Sequence, residues 1–405
     1  MTSRNTPPLI NSRLQSIDAL RGIAALGVVL YHAVLQTQNA VPGNLFQWPV
    51  KGVVFLSSLG YVGVFLFFVI SGFCIHLQWA KSRVSDNPQP IRFGSFWKRR
   101  IRRLYPPYLI AISLFLMMAV WSVGIDLTHF FVYDVVMHLL MLHNLDPHTC
   151  YSINGVFWTL AIEEQLYLAY FLLLYLRKRW GWGPTLLICG FTRIGWFFFS
   201  HFVWLATGYG VPVPEAAASH WFTWALGALA VEAAVGLVQL PRWCRNMWLS
   251  VLAIVTASAI SLALPYTPKD TLLHDVSWML MHPLWGFGFF VVVNRAVNAE
   301  VRWFERLRQP RLVTIAATIG AFSYSLYLTH ELVIMQAWRF TLYSLPPILN
   351  TLLVITPATV GFAWLFYRLC EKPYMRKAPP KTSEQRVEEP APVFTSSVSI
   401  ATEEA

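Results

Sequence analysis

Ile17-Asp18-Ala19-Leu20-Arg21-Gly22-Ile23-Ala24-Ala25-Leu26-Gly27-Val28-Val29-Leu30-Tyr31-His32-Ala33 is an apolar run broken by an acid, an arginine and a histidine. Arg21 and His32 are eleven positions apart. At about 100° per residue that is within about 20° of three whole turns, so on an α-helix both side chains fall on one stripe, roughly 16 Å apart along the axis. An ionisable group inside an apolar helix is costly and by default marks a functional position. The run therefore reads as a membrane span that carries chemistry. No small-residue cleavage site follows it, so it is expected to stay in place as the first helix.

The remainder of the chain is of the same kind. Apolar residues make up 56% and charged residues 13%, against a usual charged share of about 25%. The 18 Trp suit a chain that meets two membrane–water interfaces. Ten apolar stretches can each cross about 30 Å of hydrocarbon: 17–36, 55–79, 105–124, 155–176, 183–205, 217–237, 247–264, 276–297, 312–335 and 347–367. The expected fold is an all-α integral membrane protein of about ten transmembrane helices. One membrane domain is expected over 14–376, after a segment 1–13 and before a tail, 377–405, of disordered composition rich in Pro, Ser, Thr and Glu.

With the N-terminus placed in the cytoplasm, 26 of the 31 Lys and Arg fall in inner segments. Both termini are therefore expected inside, in a multi-pass protein of the cell (inner or plasma) membrane. The net charge of +11 then reports orientation toward the lipid bilayer, and no nucleic-acid partner is expected. Of the five cysteines only Cys150 falls in an expected outer loop, and no C-x-x-C spacing exists, so no disulfide framework is expected.

Several intramembrane or rim residues can carry chemistry. A neutral His32 in a partly desolvated cavity suits a general base. Arg99, Arg100, Arg102 and Arg103 cluster at the end of a basic inner loop, 81–104, before a helix expected from Tyr105 with Pro106 and Pro107 in its first turn. Their forks suit phosphate oxygens, although orientation and lipid headgroups account for the same composition. Glu163 and Glu164 lie inside the fourth span. About 100° separates them, so one is expected at the site and the other paired with a cation such as Arg193. Ser323, Tyr327 and His330, followed by Glu331, form a polar stripe on the ninth span, and His76 is a weaker candidate. Asp126, His129, Asp134, His138, His143, Asp146 and His148 crowd the outer loop 125–154, but their spacing matches no standard ligand pattern. No metal is expected.

In order, these motifs resemble the acyltransferase-3 family of integral membrane acyltransferases. The resemblance rests on Ile17-Asp18-Ala19-Leu20-Arg21-Gly22 with His32; Gly60-Tyr61-Val62-Gly63-Val64-Phe65 through Ser71-Gly72-Phe73; Arg99 through Tyr108; Trp158-Thr159-Leu160-Ala161-Ile162-Glu163-Glu164-Gln165-Leu166-Tyr167; Ser323 through His330; and Glu371-Lys372-Pro373. It implies transfer of an acyl group, acetyl above all, from cytoplasmic acetyl-CoA (acyl-CoA) to a hydroxyl of a cell-surface or lipid-linked glycan acceptor, alongside polysaccharide-assembly proteins. It implies His32 as the catalytic residue, Arg21 as its partner, and Arg99, Arg100, Arg102 and Arg103 as coenzyme A contacts. Glu163 then orients the acceptor, with Glu164, Tyr327 and His330 in substrate binding. Phe65 stands where many relatives carry Asp. Direct transfer and an acyl-histidine route both remain open, as do acyl transfer to a non-glycan small molecule and a proton-coupled transporter, although no internal repeat supports the last.

Overall fold

The computed structural model describes residues 14–40, 50–85, 87–123, 129–268, 271–303, 310–337 and 345–375. The segment 1–13 and the tail 377–405 lie outside them, as does Asp126. Every regular element among the described residues is helical. In chain order they are α1 (Gln15–Ala40), α2 (Val50–Ser58), α3 (Gly63–Arg83), α4 (Phe93–Val123), α5 (His129–Leu139), α6 (Trp158–Trp180), α7 (Trp182–Thr207), α8 (Ala217–Ala234), α9 (Met247–Ala263), α10 (Leu272–Trp303), α11 (Arg311–Ala321), α12 (Ser323–Ala337), α13 (Pro347–Asn350) and α14 (Thr356–Phe366).

Among the described residues, eight helical stretches are long and apolar enough to cross a membrane, or nine when α11 and α12 count as one span bent by 75°. The molecule is thus an all-α, multi-pass membrane protein. The remaining expected span, 217–237, is α8 (Ala217–Ala234), which is helical and 18 residues long but less apolar than the other spans. It is enclosed by protein, with Ser219, His220, Thr223 and Glu232 all buried. A helix so enclosed needs less apolar surface than one that faces lipid.

Two segments depart from the expected boundaries. The second span opens with a 3₁₀ turn at Gly60–Val62, and Phe55 belongs to the separate α2. More consequentially, Arg99, Arg100, Arg102 and Arg103 are not in a loop: α4 runs unbroken from Phe93 and holds Pro106 and Pro107 in its interior. Aromatic anchoring supplies the reason. Phe93 packs on Phe171 at 5.1 Å and Phe96 on Tyr170 at 5.7 Å between ring centroids, so α6 templates about three extra turns, the basic stretch that hydropathy alone assigns to water. Neither proline can donate, so the carbonyls of Arg102 and Arg103 lose their helical partners.

Close helix crossings use glycine. A Cβ on Gly22 would overlap the carbonyl of Ala316, one on Gly320 that of Asp18, and one on Gly227 that of Val69. Such crossings bring backbones together where lipid offers no hydrophobic drive for association. They set α1 against α11 and α3 against α8. Glu300 accepts from the backbone N–H of Gln15 (2.8 Å) and Ser16 (2.9 Å), tying the start of α1 to the end of α10. At the other end of α1, Thr37 meets Thr351 at 2.7 Å. We call the end holding Gln15, Arg83 and Trp180 the basic end.

Candidate active site

His32 lies on α1 with its ring fixed by neighbours of known polarity. Its Nδ1 is 2.9 Å from the carbonyl oxygen of Val28, which only accepts, so Nδ1 carries the proton. His330 of α12 reinforces this arrangement. Its own Nδ1 faces the carbonyls of Tyr327 (2.8 Å) and Leu326 (3.2 Å), so its Nε2 is a lone pair, 3.3 Å from His32 Nδ1. His32 therefore presents an unprotonated Nε2, 3.6 Å from Glu331 Oε1. Two acceptors facing each other across that gap suit a hydroxyl donor between or beside them. The Glu331 carboxylate is held by a backbone hydrogen bond at Gly155.

His32, His330 and Glu331 each offer an atom within 4.8 Å of the others, the spacing of a metal-capable group. The Nε2 of His330 is directed at the Nδ1–H of His32, an arrangement that suits proton transfer better than shared coordination.

The break at Phe322 between α11 and α12 brings the start of α12 into the core. Tyr327 accepts from Thr159 Oγ1 at 2.7 Å and donates to the Val156 carbonyl at 3.0 Å, joining α12 to the start of α6. Tyr327 also packs on His330, with centroids 5.5 Å apart. On its other side opens a cavity of about 60 Å³ that Arg21, Thr159, Glu163, Ser323 and Tyr327 line. That volume holds several waters, at about 10–15 Å³ of probe-occupied space each. The Ser323 hydroxyl is buried there without a hydrogen-bond partner. The stripe of Ser323, Tyr327 and His330 thus links the cavity at Arg21 to the imidazole of His32.

The adjacent acids separate as their helical spacing requires. Glu163 faces the cavity and accepts from Tyr167 at 2.8 Å. Glu164 lies in the electrostatic field of Tyr105, Tyr108 and Tyr324, and among the described residues neither of its oxygens has a hydrogen-bond partner. Arg193 does not pair with it. Its guanidinium donates to His282 Nδ1 (2.8 Å) and to the carbonyls of Trp278 (2.8 Å) and Ser219 (3.2 Å), and it stacks on Trp278. A ring nitrogen and carbonyls on neighbouring helices spare that cation an acidic partner.

The four arginines of α4 also separate. Arg100 lies over the rings of Phe96 (5.6 Å) and Tyr167 (5.5 Å), one link from Glu163. Arg103 lies in the electrostatic field of Arg21, Glu371 and Arg100. Arg102 is exposed and Arg99 half-buried. Glu371 accepts from Ser325 at 2.5 Å, which ties the last motif to α12. His76 is sealed between Glu232 (2.9 Å) and Tyr170 (3.1 Å), away from the cavity.

Glu331 follows His330 in the sequence, but residue-by-residue reading assigns it no role in the site. The available signal was its place four residues after Tyr327 on the same face. In the 125–154 segment, His138 and His143 stack at 4.0 Å, with Asp134 on His138 at 3.1 Å. Burial and the adjacent His138 push His143 down to about 3.

A family model described as "Acyltransferase domain" matches residues 14–368. Peptidoglycan O-acetyltransferase OatA of Listeria monocytogenes is 31% identical over 189 residues, 43% of this chain and 26% of that protein. O-acetyltransferase OatA of Staphylococcus aureus (strain NCTC 8325) is 29% identical over 213 residues, 47% of this chain and 30% of that protein. SACOL0978 of Staphylococcus aureus (strain COL), whose name assigns O-acetyltransferase activity provisionally, is 24% identical over 411 residues, 90% of this chain and 58% of that protein. The chain therefore spans less than two thirds of the length of these relatives. No solved structure matches.

Proposed function

We propose, from the premise that the chain belongs to the acyltransferase-domain family, that it is a membrane O-acetyltransferase using acetyl-CoA from the cytoplasm to acylate a hydroxyl of a surface glycan. The relatives' names support the acetyl group, and that of the Listeria relative supports a peptidoglycan-like acceptor. Concentration of Lys and Arg at one end supports that end as cytoplasmic. The observation that carries the reading is the unprotonated Nε2 of His32 facing Glu331, joined by one polar stripe to a cavity lined by Arg21.

In this mechanism the acceptor hydroxyl enters beside His32 Nε2 and Glu331. His32 takes its proton, the oxygen attacks the thioester carbonyl, and the carbon–sulfur bond breaks. The thiolate leaves as coenzyme A after the imidazolium returns the proton to sulfur. Glu331 steadies the transient imidazolium, and His330 and the Val28 carbonyl hold the tautomer. Arg21, with Arg100 and Arg103, takes the donor phosphates. The separation of roughly 16 Å between Arg21 and His32 along α1 is comparable to an extended pantetheine arm. Glu163 and Ser323 hold donor or acceptor polar groups in the cavity.

The test is transfer of labelled acetyl from acetyl-CoA into the glycan fraction by cells holding the wild type, His32→Ala or no protein. Label with the wild type alone supports the reading. Equal label from His32→Ala at equal expression removes His32 from the chemistry. No label above the empty control refutes acetyl-CoA as donor or glycan as acceptor.

A further inference from the structure

We propose that a second pocket, at the rim of the basic end, binds the phosphodiester headgroup of an anionic phospholipid. The pocket encloses about 540 Å³, and Trp79, Arg83, Tyr175, Arg177, Lys178 and Leu237 are among its walls. Arg83 and Arg177 both lie over the Trp79 ring, at 5.1 and 5.0 Å from its centroid.

Charge accounting within the pocket leaves an excess. Glu232 is the acid that meets it. One of its oxygens accepts from Arg177 (2.6 Å) and Trp182 Nε1 (3.0 Å), and the other faces His76 at 2.9 Å. Glu232 is fully buried behind the pocket wall, so its charge is used up within the protein. Arg83 and Lys178 form no ion pair among the described residues. Basic residues in the last turns of α3 and α6 complement the helix dipoles. That role alone requires neither a concave site nor an indole wall.

The pocket is distinct from the Arg21 cavity. The two share no wall residue, and the buried His76 of α3 and Tyr170 of α6 fall in chain order between their linings. The lipid-facing surface of α6 identifies the occupant. Leu168, Leu172 and Tyr175 are 52%, 49% and 61% exposed and follow one another at helical spacing, ending at the pocket mouth. That stripe extends about 10 Å along the helix and offers a track for an acyl chain whose phosphate sits between Arg83 and Lys178. A soluble phosphate has no use for such a track.

The experiment is native mass spectrometry of the intact protein in detergent with equal phosphatidylglycerol and phosphatidylcholine. It compares the wild type with Arg83→Gln/Lys178→Gln and with Arg179→Gln/Arg242→Gln, which removes two cations from the same end outside the pocket. A melting curve verifies that each variant is folded, and single Arg83→Gln and Lys178→Gln variants stand in if the double does not fold. The expected result is selective retention of phosphatidylglycerol by the wild type and by the outside-pocket variant. Retention should fall about tenfold or more in the pocket variant, since it loses two charge-assisted contacts to phosphate. Equal loss in the outside-pocket variant, or equal retention of phosphatidylcholine, overturns the proposal. Displacement of the lipid by millimolar inorganic phosphate overturns it in favour of a soluble anion.

Discussion

Replacing Glu331 with Gln removes the carboxylate that faces His32 Nε2 while keeping size and hydrogen-bonding capacity. If His32 takes a proton during turnover, the imidazolium forms 3.6 Å from Glu331 Oε1. A unit charge pair at that distance is worth about 4.6 kcal/mol at an effective dielectric of about 20, and about 1.2 kcal/mol in bulk water. At about 1.36 kcal/mol per tenfold in rate, the two limits bracket a loss of about tenfold to about two-thousandfold. The side chains are 19% and 18% exposed, which places the pair between the limits, near a hundredfold. The assay is kcat for acetyl-CoA consumption by the purified protein in lipid, with an acceptor glycan fragment present and melting curves as the folding control. Glu331→Asp should recover part of the loss. A folded Glu331→Gln protein whose kcat lies within about threefold of the wild type would refute the account, because no stabilisation of a positive imidazole would then be at work.

Three other perturbations probe the fold and the donor end. Arg100→Ala should raise the KM for acetyl-CoA about tenfold, while Arg102→Ala, on the exposed side of α4, should change it less than about twofold; initial rates against donor concentration separate the two. Gly227→Ala puts a methyl group into the Val69 carbonyl and should cost about 1–3 kcal/mol of stability, the range for overpacking, read as a lower melting temperature with the spectrum of the folded state retained. His143, held down to about 3 by burial and then by His138, binds fewer protons folded than unfolded between about pH 3 and about 6.5, so its contribution to stability is lost as pH falls below about 6.5, by up to about 1.4 kcal/mol per pH unit. Melting at pH 7.5 and pH 5 should show a smaller acid loss for His143→Phe than for the wild type.

Much of the site was written in local spacing. Arg21 and His32 share a stripe on α1, and Ser323, Tyr327 and His330 share one on α12, because helix geometry fixes both from sequence alone. Glu163 and Glu164 had to diverge for the same reason. Their surroundings were not legible: that Glu163 meets Tyr167 and the cavity while Glu164 is buried without a hydrogen-bond partner among the described residues depends on which helix packs on which face. Hydropathy alone puts the arginines of α4 in a loop because charge lowers it, and anchoring by Phe93 and Phe96 on α6 is not a local property.

What the sequence determined by itself was a chain that cannot fold as a soluble protein, whose apolar runs must become helices to satisfy their backbone in lipid, with ionisable groups at periodic positions within them. What only the tertiary structure decided was which of those groups meet. The glycine crossings between α1 and α11 and the 75° break before α12 bring His330 and Glu331 to His32 across nearly three hundred residues of chain. The 3.3 and 3.6 Å separations there turn a lone histidine into an imidazole of fixed tautomer. Periodicity orders groups along one helix, but approach between helices is set by the packing of all their faces together.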